Sequence, residues 1–252
     1  MSGAFTGAPA NWTRAKLIHP SDSCFVYLGA TSGRWRLPLA LPRARRRTIL
    51  ARMHAAATAL NGNPHVLRAD VFQGVLRPPG QPASGSQDVA SADFDAALLI
   101  ETTTVATATA LADDSVLTEL HAALAQCATR CLMFTGCNPR RIGQVDHEKQ
   151  GVFLFNYFSA RSLETNLYAW QYTAGWFQDE TGLDNSTVLQ PTPRSCSNYT
   201  LVNHCRWDHL WNVLPALLLK RSFRDFVLRV FSEHDVIARP ILYRLYRPGR
   251  RS

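Results

Sequence analysis

Apolar residues in the second half of the chain recur with two different periods, and the switches between them mark out the elements. Residues 151–158 (GVFLFNYF) form an aromatic-rich apolar run of strand length. Leu163, Leu167, Trp170, Ala174 and Phe177 then follow at spacings of 4, 3, 4 and 3, which is one face of an amphipathic helix. Ser162 stands where an N-cap belongs, Glu164 suits the positive end of the helix dipole, and Gly182 terminates the run. Asp184-Asn185 reads as a turn into a short strand, 186–189, and the polar segment 192–198 reads as a loop. Residues 199–207 (YTLVNHCRW) form the next strand. A second helical zone covers 208–234 and restarts at Ser222, with Asp225 as a capping-box-like partner. Residues 240–246 (PILYRLY) close the series as a last strand.

The first half repeats this order more loosely. The pattern predicts strands at 24–28, 65–76, 94–101 and 131–134, and helices at 45–60 and 115–126. Asn61-Gly62 ends the first helix, and Asp113-Asp114 precede the second. Pro78-Pro79 break the second strand, and 80–92 reads as a mobile Gly/Pro/Ser/Gln loop. Both halves therefore read strand, helix, strand, strand, helix, strand, which is the ferredoxin-like βαββαβ order. The expected organisation is an N-terminal tail (1–20), a first and divergent module (21–143) and a second module (144–252), with the polar stretch 141–150 (RIGQVDHEKQ) as linker. Element order carries the repeat, not residue identity.

The motifs of the second half, namely VFLFNYF, YAWQYTAGW, STVL, YTLVNHCRWD, SFRDFVL and PILYRL, resemble the dimeric α+β-barrel superfamily. Within it they resemble the antibiotic-biosynthesis monooxygenase-like proteins. The resemblance covers roughly residues 151–247, and the first half follows in order only. It implies α+β architecture in which antiparallel sheets, each with helices on one face, pack into a barrel. The two modules of one chain can satisfy each other, and a homodimer of two-module chains is equally consistent.

Composition changes this picture little. Of the 252 residues 46% are hydrophobic and 18% charged, an ordinary globular balance. The formal charge of +8 raises the question of nucleic acid. Much of the excess sits in Arg43, Arg45, Arg46 and Arg47 and in Arg244, Arg247, Arg250 and Arg251, with no basic groove or RNA-binding motif beside it. The arginines read as solvated faces and tails. Six cysteines without C-x-x-C spacing read as reduced thiols. No signal-peptide core and no membrane span stands out, so a cytoplasmic protein is expected.

The resembled monooxygenases oxidise electron-rich phenolic polycycles without a cofactor, the substrate anion itself reacting with oxygen. On that reading Asn156 matches the family's strand Asn and bonds the substrate oxygen. His204 accepts the proton, because its ordinary pKa lies near working pH, and Arg206 stabilises the enolate-like oxygen. Tyr172, Trp176 and Trp207 would contact a small hydrophobic or aromatic substrate. Period-two alternation puts Asn156 with Val152, Leu154 and Phe158, and puts His204 with Thr200, Val202 and Arg206. Each also has a plain reading: Asn156 as a sheet amide, His204 as a hydrogen-bonded strand histidine, Arg206 as the partner of Asp208 or Glu233, Trp170 as core. His204 and His209 lack the converging ligands of a metal site. Haem-binding relatives make haem the alternative cofactor, with His209 or His234 as candidate ligands. Cyclisation or isomerisation fits the same barrel, and a non-catalytic ligand- or partner-binding barrel is the rival reading. The turn 133–141 (MFTGCNPRR) offers Arg140 and Arg141 to an anion, or is an ordinary basic turn.

Overall fold

The computed structural model describes residues 13–33, 44–78, 93–195 and 197–248. The 80–92 loop, most of the N-terminal tail, Arg43, Cys196, Arg250 and Arg251 lie outside the described residues. The first half comprises β1 (Cys24–Thr31), α1 (Ala44–Leu60), β2 (Val66–Leu76), β3 (Ala96–Thr102), α2 (Val105–Ala112), α3 (Ser115–Ala125), β4 (Arg130–Cys137) and β5 (Arg141–Gly143). The second comprises β6 (Val152–Ser159), α4 (Leu163–Thr181), β7 (Ser186–Pro191), β8 (Leu201–Trp207), α5 (Leu210–Leu219), a π-helical stretch (Phe223–Leu228), α6 (Arg229–Glu233) and β9 (Ile237–Leu245).

All strand pairs are antiparallel, in the order β4-β1-β3-β2-β9-β6-β8-β7, and β7 returns to β4. Eight strands thus close into a barrel, which leaves no open sheet edge between the halves. Within each half the spatial order of the four strands is fourth, first, third, second, the ferredoxin-like order. Two joints unite the halves. Phe72 to Leu76 of β2 pair with Leu242 to Leu245 of β9, and Gly136 and Cys137 of β4 pair with Pro191 and Gln190 of β7. The second joint is only two pairs long.

The apolar runs lack clean alternation because both strand faces are buried. On β6, Phe153, Phe155 and Tyr157 point into the barrel, where they join Tyr27, Phe72, Phe94, Phe134 and Tyr243 in one aromatic core. Val152, Leu154 and Phe158 point outward, under α4 and the last helices. A third cluster seals the first-half sheet beneath α1, α2 and α3.

The caps of α4 follow from its sequence. The Ser162 hydroxyl accepts the N–H of Thr165 at 3.1 Å, and Gly182 adopts φ 67°, the left-handed turn that ends a helix with least strain. Asp114 caps α3 through the N–H of Val116. Residues 208–234 divide at Lys220 into α5 and a π/α-helical segment, close to the expected restart. Two expectations are corrected. Residues 141–143 form strand β5 on the edge of β7 rather than the start of a linker. Ser222 already has helical angles, φ −59° and ψ −26°, and makes no cap bond; its hydroxyl instead accepts the indole N–H of Trp176. Helix α2 was not anticipated.

The 133–141 turn is structural. Asn138 donates to the carbonyls of Arg140 and Val188 and accepts the N–H of Ser21. Arg140 donates to Gln171 Oε1 and the Leu167 carbonyl, and Arg141 to the His19 carbonyl. Of the basic cluster on α1, Arg46 is buried and bonds the Gly74 carbonyl. No helix among the described residues is long and apolar enough to cross a membrane.

Candidate functional site

A cavity opens between the outer face of the second-half sheet and the last helices. Its floor is Leu154 and Asn156 of β6, Trp207 of β8, and Ala238, Pro240 and Leu242 of β9. Its walls are Phe177 of α4, Val213 and Leu217 of α5, Phe223, Val227 and Leu228 of the π-helical stretch, and Phe231 of α6, with Pro78 at the rim. The atom-free space is about 620 Å³, including the part open to solvent. Only Asn156 and Trp207 among these residues carry a hydrogen-bonding side chain, and none is titratable.

The two polar groups differ in what they have left to give. The Trp207 indole N–H already donates to Thr181 Oγ1 at 3.0 Å. Asn156 Oδ1 is buried without a hydrogen-bond partner among the described residues. Its cross-strand neighbours give it no donor: on one side is Pro240, which has no N–H, and on the other Asn203, whose amide nitrogen is directed at Cys205 Sγ, 3.8 Å away. The Asn203 oxygen accepts from Trp170 Nε1 at 3.0 Å and from Ser186 Oγ at 2.6 Å. A buried unpaired amide costs stability, and here it sits in the floor of an apolar cavity.

His204 and Arg206 stand on the opposite face of the sheet from Asn156, so the structure does not bring the three together. The cause is strand alternation. Asn156 is opposite Asn203 in the register, which leaves His204 facing the barrel interior with Phe155. There the His204 ring stacks on Phe155, with centroids 4.2 Å apart and planes at 20°. Arg206 donates to the Gln150 carbonyl at 2.5 Å and to Asp208 Oδ1 at 2.7 Å, so its charge is committed. Tyr172 lies on the far side of α4 beneath the Arg14 guanidinium, 5.0 Å from its ring centroid. Trp176 is fully buried behind the cavity wall, packed on Phe177 and Phe223. Of the six singled-out residues, Asn156 and Trp207 line the cavity. Trp170 is core, and its bond to Asn203 helps hold the floor.

Inside the barrel, His204 ends a relay that sequence spacing did not reveal. Asp70 of β2 meets His147 Nδ1 at 2.8 Å, His147 Nε2 meets His204 Nε2 at 2.8 Å, and His204 Nδ1 faces the Leu154 carbonyl at 3.3 Å. With both imidazoles neutral, two N–H protons serve three contacts. Burial depresses the pKa of His147, and depresses that of His204 well below its ordinary value, where His147 and Arg68 add to the effect. Burial pushes the Asp70 carboxyl up, but the hydrogen bond from His147, with the charges of Arg247 and Arg68, outweighs it and holds the group below its usual range. Phe72, Phe153 and Phe155 close around both rings. Deeper in the same core the hydroxyls of Tyr27, Tyr157 and Tyr243 form a string, 2.5 and 2.9 Å apart, that ends on the Phe94 carbonyl. Burial raises all three phenol pKa values well above the ordinary one.

The cavity does not suit haem. Its lining offers no imidazole, thiolate, phenolate or thioether to iron. His209 is an exposed residue at the start of α5, and the ring of His234 packs edge-on to Tyr168. The described residues therefore do not fit a haem in this cavity. Nor do they hold a group of three His, Cys, Asp or Glu placed to bind a metal ion.

The closed barrel of two fourth-first-third-second sheets, each covered by helices, defines a dimeric α+β-barrel type of protein in a single chain. Solved structures agree with this. An anthrone oxidase-like protein superposes with TM-score 0.64 at 9% identity, over 89% of this chain and 91% of that one. A putative monooxygenase from Fusobacterium nucleatum superposes with TM-score 0.53 at 8% identity, over 90% of this chain and 93% of that one. At such identities the likeness concerns the fold. No family model and no curated protein matches the sequence.

Proposed function

We propose that the chain is a cofactor-independent oxygenase whose substrate is a hydrophobic aromatic molecule, bound in the cavity floored by Asn156 and Trp207. One observation carries the reading: an apolar chamber whose one uncommitted polar side chain among the described lining is the Asn156 amide. In such a chamber the surrounding phenylalanines and Trp207 desolvate an aromatic ring. The Asn156 amide has an acceptor for a substrate hydroxyl and, on its nitrogen, donors for the oxyanion that remains once the substrate has given its proton to water. Loss of water raises the energy of that anion and favours electron transfer from substrate to oxygen. Fold neighbours described as an anthrone oxidase-like protein and a putative monooxygenase support the choice of an oxygenase class.

The absence of a titratable side chain among the described lining residues narrows the substrate. Its own acidity must be high, as in phenols and ring ketones whose anion is delocalised. The same feature favours the second reading, a barrel that binds such a molecule without turning it over. Oxygen uptake by metal-free protein with a panel of phenolic polycycles separates the two. The oxygenase reading predicts substrate-dependent uptake without added cofactor, reduced at least about tenfold in Asn156→Leu. Saturable binding with no uptake would leave the binding reading, and no binding at all would sink both.

A further inference from the structure

The expectation of isolated, reduced thiols meets a different geometry in the first half. Cys24 opens β1 and Cys137 ends β4, and the antiparallel register sets them directly opposite each other. Their sulfurs are 3.5 Å apart although the residues are 113 positions apart in sequence. Directly opposed residues of an antiparallel pair have Cα atoms about 4.5–5.5 Å apart, inside the range that a disulfide spans. A modest rotation of the two side chains is all that a bond requires.

We propose that Cys24 and Cys137 form a redox pair that a peroxide converts to a disulfide, and that this bond locks the seam of the barrel. The two thiols have distinct exposure. Cys137 is part-exposed, whereas Cys24 is 3% exposed. Burial, followed by its contact with Cys137, pushes the Cys24 thiol up to about 12. Cys137 is therefore the thiol that meets the oxidant, and Cys24 is the one that resolves it. The Cys137 thiolate attacks hydrogen peroxide and becomes a sulfenic acid, releasing hydroxide. The Cys24 sulfur then attacks the sulfenic sulfur, the S–S bond forms, and the sulfenic oxygen leaves as water with the Cys24 proton. Two thiols and one peroxide give one disulfide and two waters, with two electrons passing from sulfur to peroxide.

The position gives the bond a structural consequence. Cys137 pairs with Cys24 on one side and with Gln190 of β7 on the other. It is thus one of the two β4 residues that close the barrel. On the β3 side, the Cys24 carbonyl is held by Thr102 Oγ1 at 3.0 Å, and Thr102 also bonds the carbonyl of Thr104, the cap of α2. A crosslink here fixes β1, β4 and the short β4–β7 joint together, and it removes a long loop's freedom from the unfolded chain.

The test is peroxide titration of the folded, full-length protein, followed by alkylation and mapping without reductant. The expected result is a single crosslinked species joining the Cys24 and Cys137 peptides, lighter by the mass of two hydrogens. It should be reversed by dithiol, be absent from both Cys24→Ala and Cys137→Ser, and come with a rise of several degrees in Tm that dithiol abolishes. Over-oxidation of Cys137 with Cys24 still alkylatable would overturn the proposal. So would a crosslink from Cys137 to Cys131 or Cys127, or survival of both thiols when the part-exposed Cys127 and Cys131 have reacted. The mapping is read on the unsubstituted protein, so an unstable variant does not blunt it.

Discussion

Asn156 and Asn203 are opposite one another across β6 and β8, and they carry different burdens. Asn203 is spent on Trp170 and Ser186, whereas the Asn156 carbonyl oxygen is buried and has no partner among the described residues. Replacing Asn156 by Leu, of similar size, removes a desolvated polar group from an apolar cavity. Stability should therefore hold or rise by up to about 1 kcal/mol, while ligand affinity falls about tenfold. Denaturant titration beside a binding isotherm measures both. Replacing Asn203 by Leu should instead cost about 1–3 kcal/mol, because it orphans the Trp170 N–H and the Ser186 hydroxyl.

His204 belongs to the same scale, and its role is read from acid stability. The folded pKa values of His147 and His204 are lowered, so the folded state binds fewer protons than the unfolded one below the ordinary histidine pKa of about 6.5. Their contribution to stability is complete above that value and is lost as pH falls through it. The Asp70 carboxyl, also lowered, adds a second loss below the ordinary carboxyl range. Wild-type stability should drop between roughly pH 6.5 and 5, and the drop should flatten when both histidines are replaced (His147→Gln with His204→Phe). A slope unchanged in the double variant would show that the relay does not set it.

At the scale of elements, the helix ends carry the sharpest local information. Gly182 at φ 67° closes α4 just before Leu183 turns into the core, so Gly182→Ala should cost about 1 kcal/mol by thermal unfolding, with the fold retained. Ser162, Gly182 and the stripe of α4 were legible because capping and period are local properties. Ser222 was not, because its hydroxyl answers to Trp176, a partner 46 residues away. Strand alternation told correctly that Asn156 and His204 each keep particular same-face neighbours. It does not tell which face of β8 meets which face of β6. Register decides that, and register puts the amide under the helices and the imidazole in the barrel. His147 and Asp70 went unrecognised for a related reason. One lies in a polar stretch that reads as a linker, the other in an apolar strand, and only closure of the barrel brings them to His204.

At the scale of the whole molecule, the two halves share one interior. Phe72 and Phe94 of the first half pack against Phe155 and Tyr157 of the second, and the tyrosine string crosses between them. Neither sheet can bury its inner face alone. The full chain should unfold in a single transition by two probes, and a chain containing only residues 144–248 should self-associate, as read by sedimentation. A stable, monomeric half would contradict this. The ferredoxin-like order of both halves was legible from element order, because period-two runs and the α4 stripe survive even where residue identity does not. The shared barrel interior was legible only as an implication of the resemblance.

The claim that most needs a direct test is that the cavity above Asn156, and not the barrel interior, receives the ligand. Ala238 is a small residue in the cavity floor, opposite Phe158 in the register, and a phenylalanine there fills space next to Phe158 and Pro240 without touching the relay. The decisive measurement is binding of a phenolic polycycle to wild type and Ala238→Phe, followed by quenching of tryptophan fluorescence. Loss of binding by at least about tenfold, with unfolding otherwise near wild type, is expected if the cavity receives the ligand. Binding of equal strength in the filled variant would contradict it and would move the search to the barrel's interior face.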